Sequence, residues 1–116
     1  MQTYDLLLMN CSIPDGDNTF LADIAVKDGL IAAFLQPSSG VSALKELDIG
    51  GKLVLPGCID SHTHYMDPGF THRETFAHGT RGAAAGGVTT IIDMPCCSKP
   101  SVRDVPSLYH KLDAIA

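Results

Sequence analysis

The stretch LVLPGCIDSHTHYMDPG, residues 53–69, decides how the rest of the chain is organised. It opens as an apolar run from Leu53 to Ile59, carries Asp60, His62 and His64 at alternate positions, and breaks at Asp67, Pro68 and Gly69. Side chains two residues apart leave an extended strand on the same face, so Asp60, His62 and His64 are expected to turn together. Two imidazoles at that spacing stand roughly 7 Å apart at their Cα atoms. Their rings can then converge on one cation about 2.1 Å from each nitrogen. A His-x-His pair is weak by itself. Its position at the end of a buried-looking strand, just before a loop, strengthens it, because the C-terminal strand ends of a parallel barrel hold the active site.

Towards the C-terminus the pattern runs helix, then strand. A helical stretch extends from about Arg73 to Ala85, and an apolar strand from Val88 to Met94. Strand, loop, helix and strand in that order form a βαβ unit, which predicts a parallel sheet or barrel. Thr71 with Glu74 three positions later fits a capping box, and Gly86 with Gly87 supplies a left-handed stop. Gly79 and Gly82 inside the helix cost about 1 kcal/mol each relative to Ala, and close approach of the helix to the sheet is the simplest reason for them. A last helix is predicted from about Val102 to Ala116.

Towards the N-terminus the chain is punctuated like a small antiparallel β unit. Tyr4 to Met9 is apolar, Pro14, Asp15 and Gly16 make a turn, and Leu21 to Val26 partly alternates. Lys27, Asp28 and Gly29 form a hairpin-like turn into Leu30 to Leu35. A Ser, Pro and Gly-rich loop follows over Gln36 to Gly40, and a second hairpin is expected from Leu47–Ile49 through Gly50 and Gly51 to Lys52–Leu55. The fold class is therefore α/β, with residues 1–52 as one β domain and 53–116 as the start of another.

Size and composition narrow the function classes. A chain of 116 residues falls short of the roughly 250 that a closed (β/α)₈ barrel needs. Hydrophobic residues at 45% and charged residues at 18% require a packed core. The net charge is −5, and the eight Lys and Arg are scattered, which leaves no basic stripe for nucleic acid. Nothing approaches the roughly 18 consecutive apolar residues of a membrane span. Met1 to Asn10 lacks the basic head of a signal peptide, so a cytoplasmic location is expected. Cys11, Cys58, Cys96 and Cys97 have no CxxC spacing and are read as free thiols. The adjacent Cys96 and Cys97 raise metal or redox chemistry as an alternative, but cysteine is commonly a small buried hydrophobe, and that is the reading taken.

Pro56, Gly57, Ile59, Asp60, His62 and His64, followed by Asp67, Pro68 and Gly69, make up the first part of a longer pattern. It continues through Arg73, Glu74, Thr75 and Phe76, then Gly79, Thr80, Ala83 to Gly87, Val88, Thr89 and Thr90, and closes on Asp93, Met94 and Pro95. This pattern resembles the opening of the amidohydrolase superfamily, in its cyclic amidase branch of dihydroorotases, allantoinases and hydantoinases. The resemblance implies N-terminal strands of a small β-sandwich, then the first βαβ portion of a TIM-type (β/α)₈ barrel, truncated. It implies a small cyclic amide or ureide as substrate, a homo-oligomeric whole protein, and one or two divalent ions, commonly zinc, with His62 and His64 as ligands. The remaining ligands of that family, a carboxylated lysine, two histidines and an aspartate, lie on later strands, so no catalytic residue falls in this segment and the segment alone is expected to be inactive. Asp60 and Asp93, at strand ends near the expected mouth, are candidates to orient the ligands from behind, with structural hydrogen bonding the equal alternative.

The chain also departs from the family. Met66 stands where dihydroorotases carry an arginine that grips a carboxylate, and a thioether cannot replace a guanidinium fork. Cys97 stands where allantoinases usually have asparagine, and Phe70 where they often have arginine. Met66 and Cys97 are thus the candidate substrate contacts. Arg73 is left between pairing with Glu74, pairing with a later segment, and a solvated surface. His72, His78 and His110 are read as surface or core residues. Two other classes compete. A cupin-like metal-binding barrel would replace the helix over Arg73 to Ala85 by a strand, and a non-catalytic amidohydrolase-like assembly protein would keep the fold without the later ligands.

Overall fold

A computed structural model describes residues 4–116. Met1–Thr3, where the proposed first domain and the region inspected for a leader both begin, lie outside the described residues. The chain divides into two compact units, one ending at Pro56 and the other running Gly57–Ala116.

The first unit is a four-stranded mixed sheet. Strands β1 (Tyr4–Asp15), β2 (Asn18–Lys27), β3 (Leu30–Leu35) and β4 (Ala43–Asp48) lie in the order β3-β2-β1-β4. The first three pair antiparallel through the turns expected at Gly16 and Gly29. Leu7, Cys11, Ala22, Ile24 and Ala25 are its buried apolar residues. At a bulge in β1, the Asn10 N–H donates to the buried Asp23 carboxylate (2.8 Å) and its side-chain amide donates to Asp48 (2.9 Å).

The hairpin expected over Leu47–Leu55 does not form. Strand β4 pairs parallel with the first half of β1, Tyr4 to Met9. Gly50 and Gly51 adopt φ of 64° and 77°, a region that Cβ-bearing residues avoid. They turn the chain onward along the same strand instead of back onto β4. The Ser12 N–H donates to the Lys52 carbonyl (3.0 Å), and the Val54 N–H to the Ser12 carbonyl (2.8 Å). The physical reason is length, since β1 outlasts β4 and its remaining backbone groups need partners. Leu53 and Val54 consequently belong to this sheet, and the predicted strand from Leu53 is cut at Pro56, which has no N–H to donate.

The second unit carries the βαβ order: β5 (Cys58–Thr63), α1 (Phe76–Ala85) and β6 (Val88–Asp93), with β5 and β6 parallel. A 3-10 turn over Pro95–Cys97 and helix α2 (Val105–Ile115) follow. Helix α1 begins later than expected. Its cap is Thr75, whose hydroxyl accepts from the His78 N–H (3.2 Å), and not Thr71. Glu74 lies just before the cap and is engaged there, accepting from the Thr75 N–H (2.9 Å) and lying 2.8 Å from the His78 ring. The left-handed stop falls on Gly87 alone (φ 86°), with Gly86 at φ −87°. Helix α2 likewise starts three residues late, behind an Asp104–Ser107 capping box.

The close approach expected of the helical glycines holds for one of the two, and against a different neighbour. A Cβ on Gly79 would overlap the Tyr65 ring, which comes from the loop after β5 and not from the sheet, whereas a Cβ on Gly82 would meet nothing. Tyr65 and Phe76 are the buried apolar side chains of this unit, with ring centroids 5.2 Å apart, and the Lys111 ammonium sits over Phe76. The two glycines should therefore respond oppositely to the same change. Gly79→Ala is expected to destabilise by about 1–3 kcal/mol through overpacking, and Gly82→Ala to stabilise by about 0.5–1 kcal/mol. Denaturant unfolding of the two variants checks the signs.

Candidate metal centre

Strand β5 ends at Thr63, so His62 is the last outward-facing strand residue before His64 begins the loop. Bonds to the end of β6 fix the backbone on both sides of His64. The Met94 N–H donates to the Thr63 carbonyl (2.8 Å), the Thr63 hydroxyl to the Ile92 carbonyl (3.3 Å), and the Tyr65 N–H to Asp93 Oδ1 (2.7 Å). Both imidazoles are exposed, and their Nε2 atoms lie 3.1 Å apart with ring centroids at 4.9 Å and planes at 68°. Two nitrogens about 2.1 Å from one ion, at angles between square and tetrahedral, are about 3.0–3.4 Å apart. The pair therefore fits a divalent ion with scarcely any movement.

The carboxylates named with these histidines bond to the backbone beside them and not to the rings. Asp60 Oδ1 accepts from the backbone N–H of His62 (3.1 Å). The Asp93 carboxylate is nearly buried and ties three segments: Tyr65 N–H and the Thr63 hydroxyl (3.4 Å) on one oxygen, the Lys111 ammonium of α2 on the other. Lys111 is equally buried and also points its ammonium at the Met94 carbonyl (3.4 Å). Nearby carboxylates of Asp60, Glu74 and Asp93 add to burial, the larger cause, in pushing the Tyr65 hydroxyl above its ordinary pKa.

Met66 is half-buried in the loop, where its carbonyl accepts from the Phe70 N–H (2.9 Å). Cys97 lies beside Cys96, sulfur to sulfur 3.4 Å, and this contact, more than burial, raises the Cys97 thiol pKa. The expectation that Cys96 and Cys97 are buried hydrophobes is overturned: Cys96 is exposed and Cys97 half-buried, because the 3-10 turn lifts them off the end of β6. Cys96 Sγ lies 3.8 Å from His64 Nδ1, a neighbour the sequence shows only as two cysteines just after a strand end. His72, His78 and His110 are exposed, and Glu74 takes His78 as its partner in place of Arg73, which is exposed. The helix over Phe76–Ala85 removes the cupin-like alternative, which needed a strand there.

Residues 53–108 match the model of the amidohydrolase family. That stretch is just under half of the chain. The chain is 41% identical over 112 residues to an allantoinase of Escherichia coli, covering 97% of this chain and 24% of the relative. Among solved structures it is similar to the L-hydantoinase (dihydropyrimidinase) of Arthrobacter aurescens, with 36% identity and a TM-score of 0.89 over 97% of this chain and 25% of the other. It is also similar to an N-acyl-D-glutamate deacylase of Bordetella bronchiseptica solved with zinc and a phosphonate inhibitor, at 28% identity and a TM-score of 0.62 over 84% of this chain and 20% of that one. The chain thus spans about a quarter of the length of the curated relatives it matches.

Removing one partner of the Asp93–Lys111 pair strands a charge away from water. Lys111→Met is expected to destabilise the second unit by about 3–5 kcal/mol, with Asp93→Asn/Lys111→Met losing less. Denaturant midpoints of the single and double variants check that order.

Proposed function

We propose that His62 and His64 are the opening ligand pair of a divalent-metal hydrolase of cyclic amides, acting on C–N bonds other than peptide bonds in an allantoin-like or hydantoin-like ring. The observation that carries this is the 3.1 Å approach of the two Nε2 atoms at the C-terminal end of a parallel strand. Identity to an allantoinase and likeness to a hydantoinase support the substrate class, and the zinc named with the deacylase supports one or two zinc ions. A bound ion of this kind polarises a carbonyl and lowers the pKa of water towards about 7.

The residues of this chain would hold and orient. Asp60 fixes the backbone at His62, and Asp93 fixes it beside His64, so both rings stay aimed at one point. Met66 and Cys97 are the proposed substrate contacts. Neither carries a formal positive charge, so they favour a neutral ring over a carboxylate-bearing one. No acid or base for the chemistry is assigned among these 116 residues, and the isolated polypeptide is proposed to be inactive.

The proposal also assigns the first unit, which takes in residues 53–56 beyond the expected 1–52, to a small β-sandwich and Gly57–Ala116 to the start of a (β/α)₈ barrel. Apolar side chains left in the open support the second assignment: Ile59 on β5 and Ile92 on β6 are 68% and 52% exposed, as strand residues awaiting neighbours would be. A cytoplasmic, homo-oligomeric whole protein completes it. Four free cysteines, and the absence among the described residues of any helix long and apolar enough to cross a membrane, are consistent with that setting.

Metal analysis tests the site. In a Cys96→Ser/Cys97→Ser background, which removes the neighbouring thiols, zinc affinity of the full chain is expected to fall by more than about tenfold in His62→Ala and in His64→Ala, since even a supporting partner of a ligand is worth that much. Equal zinc binding by both variants overturns the site. Allantoin and hydantoin should be untouched by the 116 residues alone, and light scattering should show them self-associating. A stable monomer counts against the barrel assignment, and hydrolysis counts against the missing acid and base. In the whole protein, zinc binding without hydrolysis would favour the assembly alternative.

A further inference from the structure

We propose that Cys96, Cys97 and the Nδ1 of His64 form a second metal site, selective for thiophilic d10 ions such as Cd²⁺, Zn²⁺ or Cu⁺, distinct from the Nε2 pair of His62 and His64. The donor atoms of these three residues lie within 4.8 Å of one another. The sulfurs are 3.4 Å apart, and Cys96 Sγ is 3.8 Å from Nδ1. With metal–sulfur distances of about 2.3 Å and metal–nitrogen of about 2.1 Å, donors of one ion stand about 3.0–3.9 Å apart at angles of 90–120°. Both measured separations fall in that range, and rotation of the exposed His64 ring towards the half-buried Cys97 closes the third. Two thiolates and an imidazole are a soft donor set, which excludes Mg²⁺ and Ca²⁺ and selects thiophilic ions.

The site is held in shape before any ion arrives. Pro95 opens the 3-10 turn that places the cysteines side by side. The Val102 N–H donates to the Pro95 carbonyl (3.0 Å), and the Ser101 hydroxyl to the Cys96 carbonyl (3.1 Å), closing the loop behind the thiols. The Lys99 N–H donates to the Pro68 carbonyl (2.8 Å), anchoring the same loop to the segment after His64. Cys96 and His64 are exposed, so an ion has an open approach. Binding converts two thiols to thiolates and releases their two protons to solvent.

Cd²⁺ is the probe. The reduced, metal-free full chain titrated with Cd²⁺ is expected to show an ultraviolet thiolate-to-cadmium charge-transfer band saturating at one ion per chain. Cys96→Ser, Cys97→Ser and His64→Ala should each weaken that binding by more than about tenfold. His62→Ala should leave the band intact while abolishing the Nε2 site, which separates failure of this proposal from failure of the hydrolase assignment. Cys58→Ser controls for the exposed thiol outside the cluster. A second measurement needs no variant: Cd²⁺ should protect Cys96 and Cys97, and not Cys58, from alkylation by iodoacetamide, read by peptide mass. A band lost in Cys58→Ser and kept in Cys96→Ser, or alkylation of Cys96 and Cys97 at the same rate with and without Cd²⁺, overturns the proposal.

Discussion

The carboxylate of Asp93 is the constraint on which the second unit depends. It sits at the end of β6, where a parallel sheet leaves backbone groups without partners, and it collects a donor from each piece of chain that must meet there. Tyr65 N–H brings in the loop after β5, the Thr63 hydroxyl fixes the last residue of that strand, and the Lys111 ammonium pins α2 across the end. Burying a carboxylate is expensive unless it is paired and hydrogen-bonded. Here two donors on Oδ1 and the Lys111 ammonium beside Oδ2 offset that cost, so the same cost opposes any displacement of the partners. His64 lies between Thr63 and Tyr65, both bonded to Asp93, and its ring inherits their placement.

This explains which parts of the site the sequence displayed. Alternation in Asp60, His62 and His64 is a local property of extended chain, and the convergence of the imidazoles follows from it. The role of Asp93 was legible only as two possibilities, because its partners are spread from Thr63 to Lys111 and no spacing rule links them. Lys111 has no sequence signal at all. It is one lysine on an amphipathic helix, and it is buried through a partner that sequence alone cannot supply. Cys96 was misjudged for a similar reason: cysteine is commonly buried, but the proline before it starts a tight turn that points it outward.

The fold was legible where pattern is local and hidden where it is competitive. Turns at Gly16 and Gly29 and the order strand, helix, strand all followed from periodicity and punctuation. The glycine pair at 50 and 51 looked like a hairpin because two short apolar segments flank it, yet the longer β1 offered both segments a parallel edge. The start of α1 was displaced by a contest between two threonines. Thr75 wins because its hydroxyl reaches the His78 N–H while Glu74 covers the Thr75 N–H from outside, and Asp67 accepts from the Phe76 N–H (3.4 Å), leaving fewer first-turn donors bare.

His64 finally shows how two donor sets can share a single ring. A neutral imidazole has one lone pair to give and one N–H to place. If Nε2 faces an ion held with His62, the proton sits on Nδ1 and points at Cys96 Sγ, a hydrogen bond that orients the ring and makes Nε2 the better donor. If Nδ1 is the donor instead, the proton moves to Nε2, and the His62 Nε2 at 3.1 Å is there to accept it. Each arrangement leaves every ring nitrogen of the contact satisfied. Occupying one donor set therefore withdraws His64 from the other, and the choice between them is set by whether nitrogen or sulfur better suits the ion on offer.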